Sequence, residues 1–212
     1  MNLFTEQMQP KSVETFYKKN ANIFSRTRVN PWPATKSFLD DLRTKSDVLD
    51  IGCGNGRNMF YRNDLNIIGV ELSNELCNIV RNKGGNVINC NMTKLDIEDN
   101  SFDTIICIAA YHHLNNDKDR KLALSEMYRV LKPNGRLFIQ VWAMEQPIYS
   151  RRKFLKRDEN VTWKNKDGTI LNRYYHIYPK GELQKEIKTL EPRFNFILSL
   201  YEEGNWINIL NK

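Results

Sequence analysis

The sequence has no apolar run approaching the eighteen or so consecutive residues of a membrane span, no internal repeat and no low-complexity tract. Its start, MNLFTEQMQPKSVETF, lacks the basic segment followed by an apolar one that marks a secretory leader. These absences point to the cytoplasm, with the nucleus also open. Paired cysteines are missing too: Cys53, Cys77, Cys90 and Cys107 stand singly, with no C-x-x-C. Reduced, buried thiols are therefore expected rather than disulfides or zinc ligands, and no metal site is expected. What is present is ordinary globular material, 41% hydrophobic and 27% charged over 212 residues, which excludes disorder and collagen-like repetition. Lys and Arg number 32 against 25 Asp and Glu, a formal charge of +7. That excess leans toward an acidic partner such as nucleic acid.

Apolar spacing predicts helices over 12–23 and 33–42, the second entered through Pro31 and Pro33. Runs of strand length follow at 47–51, 66–70, 86–89, 103–108 and 136–141. Between them 56–62, 74–82 and 117–131 have helical spacing, the last closed by the stop signal Lys132-Pro133-Asn134-Gly135. Alternating strand and helix imply a parallel sheet covered on both faces, an α/β fold. After Trp142 the alternation lapses into a polar, basic stretch to about residue 172. A helix at 180–190 and strands at 194–201 and 206–210 complete the chain, and the short link between those strands makes them antiparallel neighbours.

The strongest local signal is VLDIGCGNGRN at 48–58, where a buried strand delivers Asp50 and then Gly52, Gly54 and Gly56 at every second position. Glycines so placed let the backbone turn sharply and approach a ligand, and a following helix offers its first amides. The spacing G-x-G-x-G is one residue tighter than the dinucleotide fingerprint, which argues against a dehydrogenase. At the end of the next strand Glu71 stands where an acid accepts hydrogen bonds from ribose hydroxyls. Together they imply a nucleoside-bearing cofactor.

Asp-x-Gly-x-Gly-x-Gly with a downstream acid resembles the first two motifs of the class I S-adenosylmethionine-dependent methyltransferases, and NSFDTIICIAAYHHL with EMYRVLKPNGRLFI resembles their fourth- and fifth-strand signatures. The resemblance implies a Rossmann-like, mostly parallel seven-stranded sheet with an antiparallel C-terminal strand. It also implies that Asp50, Gly52, Cys53, Gly54 and Gly56 line the methionine and ribose, that Glu71 and Leu72 hold the ribose, that Asn91 and Met92 flank the adenine, and that Ala109 lies under the methionine end. Relatives often carry Asp at position 91; the Asn91 amide oxygen still accepts from an adenine amino group.

FSRTRVNPWP, IAAYHHL, QVWAMEQ, RYYHIY and EGNWINIL are similar to stretches of the eukaryotic tRNA wobble-uridine methyltransferases, both the free-standing yeast type and the domain fused to an AlkB-like hydroxylase. The implied reaction esterifies the carboxylate of 5-carboxymethyluridine in the anticodon of tRNA, leaving S-adenosylhomocysteine. The implied partners are the tRNA anticodon stem-loop and a small zinc-binding activator subunit in a heterodimer. The implied layout is one domain, 1–212: N-terminal helices over the site (1–45), a cofactor core (46–142), a basic substrate-facing insertion (143–178), and a C-terminal helix and hairpin (179–212).

A carboxylate, with a pKa near 4, needs positioning rather than a base. Arg28 before the P-W-P turn, Arg173 beside Tyr174 and Tyr175, His112 (with His113 the lesser candidate) and Trp142 are the catalytic candidates. Basic segment RRKFLKR, 151–157, is a candidate phosphate track. Between Arg129 and Arg193 stand fifteen Lys or Arg and seven Asp or Glu, so the charge excess lies beside the expected substrate region. Two other readings stay open: a methyltransferase of a small carboxylate or quinone-like ring, and a non-catalytic scaffold.

Overall fold

A computed structural model of the protein describes residues 11–26, 29–164 and 168–212. Its main sheet comprises β1 (Asp47–Ile51), β2 (Asn66–Glu71), β3 (Asn86–Asn89), β4 (Phe102–Ile108), β5 (Leu131–Trp142), β8 (Asn195–Glu202) and β9 (Asn205–Asn211), in the order β3-β2-β1-β4-β5-β9-β8. β9 alone runs opposite to the other six strands, pairing antiparallel with β5 and β8. The expected seven-stranded, mostly parallel sheet is therefore present. β1 and β4 are buried over nearly their whole length, as strands covered on both faces must be. Leu49, Ile105, Leu137 and Leu124 fill the layer toward helices α4 (Asp117–Val130) and α5 (Glu182–Lys188). Phe38, Leu39, Val48 and Phe138 fill the other, under α2 (Pro33–Asp40).

Local chemistry sets the element ends. Pro33 opens α2, where its missing N–H costs nothing. Ser73 Oγ caps α3 (Asn74–Asn82), accepting from the Leu76 N–H at 3.3 Å, and Asn116 caps α4 at 2.8 Å. Glu203 and Gly204 both have positive φ, 47° and 78°, the backbone that a tight two-residue hairpin between β8 and β9 requires. Strand order reverses between β1 and β4, so a crevice opens at the carboxyl ends of these strands, where ligands bind in such sheets.

Three expectations change. Segment 56–62 forms turns, not a helix: Gly56 N–H bonds to Cys53 O and Tyr61 N–H to Asn58 O. Asn55 Oδ1 takes the Arg57 N–H at 3.3 Å, a side-chain bond that competes with helix formation. The glycine loop therefore works through its own backbone rather than a helix end. Second, β5 begins at Leu131, five residues early, because 132–135 loop out opposite the irregular pairing between Phe102 and Thr104 and tie to the chain end through Asn134 N–H and Lys212 N–H. Third, the stretch after Trp142 holds a hairpin, β6 (Asp158–Lys164) with β7 (Ile170–His176). Helix α1 (Lys11–Arg26) packs against β7 and α3.

Candidate active site

One cavity opens at the switch point, and Gly52, Cys53, Gly54, Glu71, Leu72, Asn91, Met92 and Ala109 all line it. So do His112, Trp142 and Arg173. Asp50 and Gly56 do not: Asp50 is buried beneath the loop, and a Cβ on Gly56 would lie 2.7 Å from the Phe60 ring, so this glycine makes room for packing. Arg28 lies outside the described residues.

Gly52 and Cys53 donate their N–H groups to Val70 O at 2.7 and 3.0 Å, which holds the loop against β2. Gly52 has φ 71°, and a Cβ there would sit 2.2 Å from Ala110 Cβ, a rigid neighbour. Only bare backbone fits. Gly52→Ala is expected to abolish cofactor binding in equilibrium dialysis and to cost at least about 2 kcal/mol through left-handed strain and overlap. That corresponds to a melting temperature lower by roughly 4–8 °C.

Glu71 is buried, with Oε2 accepting from Gly54 N–H at 3.0 Å and Oε1 from Ser73 N–H at 2.9 Å. A carboxylate has about four acceptor sites, so each oxygen keeps one for a ligand hydroxyl. Burial raises its pKa while those two N–H groups oppose the rise. Asn91 lines the cavity, and its Oδ1 accepts from Thr93 N–H at 3.0 Å and retains a second lone pair. These features fit the adenosine of S-adenosylmethionine: bare backbone at the loop, paired acceptors for two ribose hydroxyls, an amide for the base.

Burial pushes the Asp50 carboxyl up to about 7, against the lowering effects of the Asn58 side chain and Arg57, and its Oδ2 has no partner among the described residues. The folded state thus holds a proton that the unfolded chain releases near pH 4. Native protein binds more protons across that window, so Asp50 makes stability fall as pH rises from about 4 to about 7. Asp50→Asn removes this penalty: relative to the parent, its unfolding free energy is expected to rise by up to about 4 kcal/mol between pH 4 and pH 8. Denaturant melts at both ends of the range check it.

Beyond the loop, β4 ends at Ile108 and is followed by Ala109, at φ 53°, and a short 3-10 turn, Tyr111–His113. His112 is fully buried and its Nδ1 accepts the Trp142 backbone N–H at 3.1 Å. A backbone amide only donates, so Nδ1 carries no proton and Nε2 does. Desolvation holds the His112 pKa well below 6.5, keeping that neutral tautomer. Nε2–H has no partner among the described residues and the ring lines the cavity. His113 has the opposite arrangement. Its Nδ1 meets Tyr174 O at 2.8 Å and so carries the proton, and burial lowers its pKa to about 4.

Arg173, on β7, is 5% exposed, with its guanidinium carbon 4.1 Å from the Phe16 ring centre and 5.4 Å from that of Tyr175. It has no ion pair or hydrogen bond to a described residue, and its Nε is an unmet donor. Trp142 stacks on Tyr175 at 4.2 Å and 5°, while the Arg152 guanidinium lies 4.2 Å from the indole centre. Two groups that close take opposite faces, so Trp142 acts as a wall of the cavity rather than a free platform for a base.

Sequence reasoning did not single out Trp32, Asn55, Arg57 or Ser73, which also line the cavity, as does Arg152 from the basic run 151–157. Arg57 lies 4.5 Å over the Trp32 ring, and Asn55 Nδ2 donates to Ser25 O at 3.0 Å, joining the glycine loop to α1. A cation, Arg57, and two amides, Asn55 and Asn58, beside the glycines are the signal that was there to be used.

A methyltransferase-domain family model matches residues 49–139, the stretch from β1 to β5 that builds the cofactor half of this cavity. A putative methyltransferase of Encephalitozoon cuniculi is 35% identical over 178 residues, spanning 80% of this chain and 81% of that protein. The chain belongs to the methyltransferase family. The probable tRNA methyltransferase 9B of Mus musculus is 36% identical over 157 residues, 74% of this chain and 34% of that protein. The mouse tRNA (carboxymethyluridine(34)-5-O)-methyltransferase ALKBH8 is 35% identical over 161 residues, 76% of this chain and 24% of that protein. The chain thus spans about a third or less of the length of these two relatives. In fold it matches a Burkholderia thailandensis 1,6-didemethyltoxoflavin-N1-methyltransferase solved with S-adenosylhomocysteine, at TM-score 0.66 and 19% identity over 93% of this chain and 84% of that one. It matches the [4+2]-cyclase SpnF as well, at TM-score 0.69 and 13% identity over 94% of each. The fold is that of the S-adenosylmethionine-dependent enzymes, and it hosts more than one chemistry.

Proposed function

We propose that the protein transfers a methyl group from S-adenosylmethionine to the carboxylate of 5-carboxymethyluridine at the wobble position of tRNA. The observation that carries this reading is a pair of buried donors lining one cavity, His112 Nε2–H and Arg173 Nε–H, that have no partner among the described residues. A buried cation without a counter-ion is costly, and a substrate anion is what removes that cost. The curated relatives named for carboxymethyluridine methylation support the same substrate.

The chemistry follows from what the chain holds. When bound, S-adenosylmethionine supplies a methyl group activated by the sulfonium. Glu71 and the loop amides orient the nucleoside; Arg173 and His112 orient the acceptor carboxylate. The carboxylate held by Arg173 and His112 would take the methyl group that the bound cofactor supplies, the carbon–sulfur bond pair remaining on the sulfur of S-adenosylhomocysteine. No proton moves. Accordingly neither histidine of the cavity serves as a base: His112 is held as a donor, and His113 is too weak a base at pH 7. Arg28 is proposed as a second cation for a carboxylate, and the basic run 151–157 as the tRNA track.

A heterodimer with a small zinc-binding activator is part of the proposal. Its support is that the sheet ends in two open edges, β3 and β8, the latter exposing Ile197 and Leu198. Co-expression with such a subunit should raise the soluble yield. No helix among the described residues is long and apolar enough to cross a membrane. The test of function is to incubate the protein, with and without that subunit, with labelled cofactor and tRNA from cells lacking the modification, and to analyse nucleosides. Label in a uridine methyl ester is the expected result; label elsewhere, or none, overturns the reading.

A further inference from the structure

Of the five cations in 151–157, Arg152 alone lines the cavity. Arg157 pairs with Glu182 at 3.0 Å instead. The Arg152 guanidinium rests 4.2 Å from the Trp142 ring centre, has no acidic partner among the described residues, and belongs to an exposed residue. Its position is therefore fixed by an aromatic surface while its donors are left for a ligand. Arg173 and Arg152 stand on different members of one stacked pair, Arg173 on Tyr175 at the buried end and Arg152 on Trp142 at the rim. Neither cation has an acidic partner among the described residues, so the buried one calls for an anion and the rim one has its charge free for a second.

We infer that Arg152 binds a backbone phosphate flanking the nucleotide whose base is methylated, and so sets the preference for a polynucleotide over a free nucleoside. This rests on the reading of function above, in which the buried His112 and Arg173 already take the carboxylate. The second charge of the substrate is then a phosphodiester, and it lies where the chain of the nucleic acid leaves the cavity. A planar fork stacked on an indole presents its N–H groups edge-on, the geometry that suits a phosphate bidentately. Arg151, Lys153 and Lys156, exposed on the same segment, continue the positive rim outward.

The experiment uses a fluorescent anticodon stem-loop carrying 5-carboxymethyluridine, its affinity measured by anisotropy across a salt series, together with methyl transfer to the same stem-loop. Arg152→Ala is expected to weaken binding about tenfold at low salt and to lower the slope of log affinity against log salt by about 0.7, the release of one single-strand counter-ion. KM should rise with kcat within about twofold, and cofactor affinity should not change. Arg152→Lys should restore the salt slope and only part of the affinity. An unchanged slope and KM would overturn the inference whatever the enzyme methylates. A parent protein that shows the Arg152-dependent slope but makes no ester would instead overturn the substrate assignment.

Discussion

Arg173→Met should retain the fold and lose methyl transfer by about 10²–10³ in kcat/KM, a loss of roughly 3–4 kcal/mol of transition-state binding. The side chain is almost wholly buried and its Nε is unmet, so the loss comes from the missing grip on an anion rather than from a broken internal pair. Removing a buried cation that has no counter-ion among the described residues relieves a desolvation cost, while the contacts with Phe16, Tyr17, Trp163 and Tyr175 return part of it. The melting temperature should therefore hold or rise as activity falls. Arg173→Lys keeps the charge but not the planar fork, and is expected to recover only part of the rate. Full turnover by Arg173→Met would remove the residue from the site.

The second large effect is at His112, and the informative substitution is to Asn. An Asn oxygen replaces Nδ1 as acceptor for the Trp142 N–H, yet its amide is too short to reach the place of Nε2. His112→Asn should fold and lose about a hundredfold in kcat. His112→Ala should lose stability as well, by about 1–3 kcal/mol, because it strands a buried backbone donor. Since desolvation keeps the ring neutral far below its ordinary pKa, neither binding nor rate should show a histidine titration between about pH 6 and pH 8. A rate that rises with a single ionisation near 6.5, and loses that rise in His112→Asn, would mean that the ring acts as a base.

The cofactor half of the site was legible because its function demands residues that are unusual for their positions. Three alternating glycines and an acid at a strand end have few other uses, and their places in the cavity follow from strand register: Val70 O anchors the loop, and Glu71 sits one residue beyond it. Asp50 and Gly56 belong to the same signature but work from beneath, one as a buried carboxyl and one as space for Phe60. Sequence spacing reports that a position is constrained, not which side of the backbone the constraint comes from.

The substrate half was harder. Strand β6 alternates partly buried with exposed side chains, but the exposed ones are Asp158, Asn160, Thr162 and Lys164, so its period is masked by polarity. The turn residues and the alternation through Val161 and Trp163 were the available signals. Without the β6–β7 pairing, Arg173 is an arginine beside tyrosines; with it, Tyr175 and Trp142 stack and two cations face one cavity. The run 56–62 failed for the opposite reason: its apolar spacing is helical, yet Asn55 bonds the backbone locally and the segment turns instead.

The most direct measurement compares two synthetic anticodon stem-loops that differ only at the wobble base, one with 5-carboxymethyluridine and one with its neutral amide, at saturating S-adenosylmethionine. Methyl ester on the acid alone, at a rate that is level between about pH 6 and pH 8, is the result expected of a site that positions a ready nucleophile. Methylation of the amide, or a rate that climbs tenfold per pH unit across that range, would contradict it.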